Sequence, residues 1–198
     1  MTYMTNKTNR TNNTGKTHGG YRDLKSYQAT TLVYDLTVEF CKIYMTYGSN
    51  QSYRTTDQMI QAARSGRQNI AEGSQASAVS KKTEIKLIGV ARASLEELLI
   101  DYEDFLRQRG LSLWEKEDPR AKAVRALAYK SDRSYETYKS YLSDSEKAAN
   151  CIICLIHQAN YLLDKQLIAL EENFIKGGGY TENLYKKRMA HRPEGEEI

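Results

Sequence analysis

The chain has 198 residues, a formal charge of +4, two prolines and three cysteines. That length suits one domain with a buried core, so few prolines favour long helices, and three cysteines without framework spacing exclude a disulfide scaffold and suggest a cytoplasmic protein. Neither a leader nor a membrane span is expected, because the most apolar stretch, CIICLIHQANYLL, is interrupted by His157, Gln158 and Asn160.

Residues 1–20 form a Thr/Asn-rich arm in which threonine recurs at every third position from Thr5 to Thr17. Such a segment has no apolar area to bury and is predicted to be disordered. With Lys7, Arg10, Lys16 and Arg22 against Asp23, the region around it holds most of the chain's excess positive charge. A basic arm can touch phosphates without reading sequence, and it can equally be a solvated leader.

From Leu24 the pattern becomes helical. Leu36, Phe40, Ile43 and Tyr47 are spaced four, three and four, beside a stripe through Tyr34, Val38, Cys41 and Met45. Gly48, Ser49 and Asn50 are expected to end this first helix. Thr55, Thr56 and Asp57 offer a start for the second, whose seam runs through Met59, Ala63, Gly66, Ile70 and Gly73. A third opens near Ser80, carries Ile88, Ala91, Leu95, Leu98, Tyr102 and Phe105, and is expected to stop at Gly110. The segment 114–142 is less regular and reads as one or two inserted helices, with Asp118 and Pro119 suited to a first turn. The last helix repeats Ile153, Ile156, Asn160, Leu163, Leu167, Leu170 and Phe174, with a second stripe through Ile152, Leu155, Ala159 and Leu162. An apolar surface that wide needs more than one neighbour. Gly177, Gly178 and Gly179 close it, leaving a suffix tail, 177–198.

Glycine in a helix costs roughly 1 kcal/mol relative to alanine, so Gly66 and Gly73 on one seam predict a close approach by another helix. Asn69 and Glu72 would then be partly desolvated and need partners. Arg92 is the expected partner, with Ser94 and Glu97 nearby, forming a structural polar lock. The alternative makes Glu72, Glu97, Asp101 and Asp104 an acidic catalytic or metal site.

The order GYRDLKSYQATTLVYDLTVEFCKIY, DQMIQAARSGRQNIAEGSQ and KLIGVARASLEELLIDYEDFL resembles the 23S ribosomal RNA intervening-sequence proteins. The likeness rests on Ala62, Ala63, Ser65, Asn69, Ile70, Ala71, Glu72 and Gly73, followed by Ala91, Arg92, Ser94, Glu97 and Leu98. It spans about residues 20–110 and, more loosely, 145–176, with KGGGYTENLYKKR resembling the suffix of one subgroup. The resemblance implies an all-α, up-and-down four-helix bundle over residues 21–176, here with an insertion at 114–142. It also implies a homopentamer with a central channel, and a kinship with accessory proteins of diversity-generating retroelements, which bind nucleic acid and contact a reverse transcriptase. No catalytic residue comes with it.

Cys151, Cys154 and His157 spell C-x-x-C-x-x-H, but on a helix they point in diverging directions and no fourth ligand lies nearby in sequence. Core cysteines are the expected reading, with no metal and no cofactor. Asn160 on the last seam is read as a register residue. Candidate nucleic-acid contacts are Arg54, Arg64 and Arg67 on the second helix, Lys81, Lys82 and Lys86 opening the third, and Lys186, Lys187 and Arg188 beside Tyr185 in the tail. A ring would repeat each cluster once per subunit and multiply a modest charge. Tyr135, Tyr138 and Tyr141 could stack bases or line the insertion's contact face. Two functions follow as expectations: a non-enzymatic oligomeric scaffold that binds RNA or DNA, or an adaptor whose suffix docks a partner protein. No membrane and no small-molecule substrate are expected.

Overall fold

The computed structural model describes residues 20–45, 50–130 and 133–191, among which every regular element is helical. The predicted disorder of residues 1–19 falls outside the described residues. A short 3-10 turn, Tyr21–Asp23, leads into α1 (Lys25–Tyr44). Then come α2 (Asn50–Ala76), α3 (Lys81–Gln108), α4 (Pro119–Leu127), α5 (Tyr135–Tyr138) running into a 3-10 turn, α6 (Ser145–Gly177) and α7 (Tyr180–Ala190). No helix among the described residues is long and apolar enough to cross a membrane.

The helix ends follow the local chemistry. The Ser80 hydroxyl accepts the Thr83 N–H at 3.2 Å and starts α3; Gly110, at φ +64°, supplies the left-handed turn beyond its end. Asp118 caps α4 ahead of Pro119, and Asp144 caps α6 by accepting the Lys147 N–H. Two expectations are corrected. α2 opens at Asn50 rather than at Thr55, because NQSYR contains no breaker and those threonines fall in its second turn. The tail beyond the glycines also holds a helix, α7.

α1, α2, α3 and α6 pack around one core. Gly66 faces Leu95 and Gly73 faces Glu84, so α2 and α3 run antiparallel. α3 and α6 do likewise, since Arg92 meets Asp164 while Trp114, just past α3, meets Asn150. On α1, Ser26 donates to Gln166 at one end and the Tyr44 hydroxyl donates to the Leu142 carbonyl at the other, opposing α1 to α6. Phe40 sits at the centre, its ring 5.0 Å from Tyr102 and 4.8 Å from Phe105. The fully buried Tyr102 hydroxyl donates to Thr37 Oγ1 at 3.1 Å, which removes the cost of an unpaired buried group.

Residues 114–142 pack on α6 and α1, with Trp114, Ala121, Val124, Tyr138 and Leu142 joining the core. Their clasp is polar. Asn150, 1 % exposed, accepts the Trp114 backbone N–H at 2.7 Å and donates to the Ser112 carbonyl at 2.8 Å. Arg120 lies over the Trp114 ring and pairs with Asp118 and Glu146.

Candidate functional site

The α2–α3 seam brings the singled-out small and polar residues together. A Cβ built on Gly66 would lie 2.8 Å from Leu95 Cδ2 and 3.0 Å from its Cγ, so this position is filled by α3 itself. On Gly73 the nearest atoms, Glu84 O and Leu87 Cβ, are both 3.4 Å away, ordinary contact distance. Between the two glycines, Asn69 Nδ2 donates to the Ser65 carbonyl at 2.9 Å and to Ser65 Oγ at 3.0 Å. Ser65 and Ser94 hydroxyls meet across the seam at 3.0 Å.

Arg92 and Glu72 do not belong to this lock. Glu72 is exposed and solvated, and Arg92 points about 160° away from Ser94 around α3. Arg92 turns to α6, where Nε donates to Asp164 Oδ1 at 2.6 Å and a terminal nitrogen lies 3.5 Å from Glu96 Oε2. Asn160 Nδ2 donates to the same Glu96 oxygen at 3.3 Å. Glu96 and Asp164 escaped the sequence reading. Their signal was present in the i, i+4 pairs Arg92/Glu96 and Asn160/Asp164, on facing stripes of two helices. Arg92 is 38 % exposed and Asp164 47 %, so the pair adds no more than about 1 kcal/mol and acts chiefly on register.

An open groove of about 560 Å³ runs beside the seam, lined by Gln58, Gln61, Ala62, Ser65, Ser94, Glu97 and Asp101. Burial first, then the neighbouring Asp104 and Glu97, push the Asp101 carboxyl above its ordinary range. Glu72 does not line the groove. Glu97 is exposed and caps no lock. Among the described residues no three metal-ligating side chains gather.

The basic candidates divide. The Arg67 guanidinium lies over the Tyr34 ring at 4.2 Å and is half-buried, beside Asp35. Lys81 pairs with the buried Glu84 at 3.4 Å. Both are therefore tied to the fold. Arg54, Arg64, Lys82 and Lys86 are exposed, as are Lys186, Lys187 and Arg188 on α7, none of whose residues is buried.

Cys151 and Cys154 are buried in α6, and burial pushes both thiols up, while His157 is exposed. Tyr138 is buried within the insertion, so that ring packs rather than stacking on a base.

Residues 22–113 match the sequence model of the 23S rRNA-intervening sequence protein family. The match spans just under half of the chain and shows what that segment is similar to. No curated protein and no solved structure matches the chain. The intervening-sequence match covers α1, α2 and α3 and stops at the Trp114 clasp, so the seam and its Ser65–Asn69–Ser94 lock lie inside it. Asp164 and Asn160, which hold α3 to α6, lie outside.

Proposed function

We propose that the protein is a non-enzymatic scaffold that self-associates and binds RNA or DNA through basic patches repeated around the assembly. In this reading α1, α2, α3 and α6 are the four members of an up-and-down bundle, 114–142 is its insertion, and 177–198 is the suffix of the suffix-bearing subgroup. A pentamer, and kinship with retroelement accessory proteins, come with the family resemblance.

The observation that carries the reading is where the cations lie. α3 begins and α6 ends at the same end of the bundle, because the two run antiparallel. Lys82 and Lys86 therefore share that end with α7 and its Lys186, Lys187 and Arg188. α1 starts there too. Phosphate binding needs clustered, solvated, uncommitted cations and releases counterions on contact. Arg67 is the poorest candidate, being stacked on Tyr34.

The test is binding of fluorescent random single-stranded RNA and duplex DNA across a salt series. Affinity is expected to fall steeply with salt, and the double variant Lys82→Glu/Lys86→Glu to weaken all sequences alike. Binding that ignores salt would overturn the reading.

One observation favours the adaptor as a second reading. α7 exposes Tyr180, Leu184, Tyr185 and Met189, and an eleven-residue helix is marginal in water alone. Deletion of 177–198 separates the two: loss of a protein partner with nucleic-acid binding intact selects the adaptor, in which a reverse transcriptase is the partner the family kinship suggests.

A further inference from the structure

The carboxyl-terminal part of α6 carries a second apolar stripe. Tyr161, Ile168 and Ile175 are 62 %, 52 % and 81 % exposed, and exposed Lys165 and Glu172 alternate with them. At 100° per residue these five side chains fall within about 80° of arc. The arc is centred roughly 140° from the Asn160, Leu163, Leu167, Leu170 and Phe174 seam that the same helix turns toward its own core. The outward side is not bare along the whole helix. Cys154, two turns before Tyr161 on the same side, is buried, and α4 packs on that part of α6. The cover ends there and the apolar spacing continues.

We propose that this stripe pairs with the same stripe of a second copy of the chain, antiparallel, about a two-fold axis through Ile168. The charges select the occupant and the direction. With Ile168 on the axis, Tyr161 faces Ile175 of the second copy, and Lys165 faces its Glu171 and Glu172. Symmetry makes each of these contacts twice. A parallel pair would set Lys165 against Lys165 and Glu172 against Glu172, and like charges across a helix seam exclude that arrangement. Neither charge is strongly committed within its own chain: Lys165 Nζ lies 5.7 Å from the Tyr161 ring centre, and Glu172 approaches Lys176 at 3.5 Å with both side chains mostly exposed. Three apolar residues per chain with flanking ion pairs make a modest contact. It suits joining larger units, because a two-fold contact cannot be the contact of a five-membered ring and would link two chains or two rings. The pairing stands whether or not the protein binds nucleic acid.

A residue on the axis of a closely packed helix pair lies near its own symmetry mate, within reach of a disulfide. Full-length Ile168→Cys is therefore expected to form a covalent dimer under mild oxidation, because the native Cys41, Cys151 and Cys154 are buried. Ile100→Cys, on an equally exposed apolar position of α3 (55 %), is the control and should stay single. Lys165→Glu is expected to weaken association in sedimentation by roughly tenfold, since each substitution is met twice. Mixing it with Glu171→Lys/Glu172→Lys should restore pairing between the two variants. No cross-link at 168, equal cross-linking at 100, or no restoration on mixing would each overturn the proposal. All these positions are exposed, so the fold survives the changes.

Discussion

Two stretches of α6 differ in what surrounds them. Every residue from Ala148 to Ile156 is buried, whereas none from Asp164 to Gly177 is. Both stretches keep apolar residues at helical spacing. The first is enclosed because α1 and α3 cover one side and the inserted segment covers the other, held by the Asn150 and Arg120 clasp. The second has only the seam side packed. Apolar width on a helix therefore reports a demand for neighbours, and the chain's own neighbours meet it at one end alone.

The largest effect separates the two stretches directly. Leu155→Ala, at a side chain 1 % exposed, is expected to cost about 2–5 kcal/mol in urea unfolding. Ile168→Ala should stay within about 0.5 kcal/mol for the isolated chain. Equal costs would mean that the second stretch is covered within the monomer.

This contrast marks how far the sequence could be read. Seam residues such as Ile88, Leu95, Leu98, Leu155 and Ile156 were legible because a 3.6-residue period forces them to one face, and the stop at Gly110 because left-handed backbone favours glycine. Which neighbour covers a face was not legible. Asn150 looked like any helix asparagine until Trp114 and Ser112 came opposite it, over thirty residues away in the chain. The sequence alone places Arg92 on the wrong seam for the same reason: its length and flexibility let it reach either of two helices, and only the placement of Asp164 decides. The Asn69, Ser65 and Ser94 contacts were closer to hand, since their spacing fixes one face of each helix.

Breaking the clasp should make the first stretch resemble the second. Asn150→Ala strands the buried Trp114 N–H and releases the Ser112 carbonyl, which belongs to an exposed residue and can turn to water, so the cost is that of one buried group, about 1–3 kcal/mol. The same variant is expected to raise the rate at which Cys151 and Cys154 react with a thiol reagent under native conditions. A variant as unreactive as the parent would show that the insertion does not need this clasp to cover α6.

Those thiols also give the comparison a pH dependence. Burial, with Asp101 adding to it, pushes Cys41 up to about 12, and burial, with Cys154 adding to it, pushes Cys151 up as well. A thiol whose folded pKa is raised stays protonated when its unfolded counterpart has ionised, so the folded state binds more protons above pH 9. Stability is therefore present in full below the unfolded value and is lost as pH rises from about 9 toward 12, by roughly 1.4 kcal/mol per pH unit for each such thiol. Denaturation curves at pH 8 and pH 10 should show the loss, and Cys151→Ala should reduce its slope even if it lowers stability at both.

The smallest expected effect lies on the α2–α3 seam, where cover is set by backbone approach. Gly66→Ala gains about 1 kcal/mol of helix propensity but drives a methyl to 2.8 Å from Leu95, a side chain with no exposed surface, and overpacking of that kind costs about 1–3 kcal/mol. The balance is a loss of up to about 2 kcal/mol. Gly73→Ala makes only ordinary contact at 3.4 Å, so the propensity gain survives and the variant should be neutral to about 1 kcal/mol more stable. The two glycines occupy the same heptad position, and only the distance to α3 separates them. If both substitutions stabilise, Leu95 yields at little cost and the seam is looser than α6 between Ala148 and Ile156; if both destabilise, the seam is held as tightly at Gly73 as at Gly66.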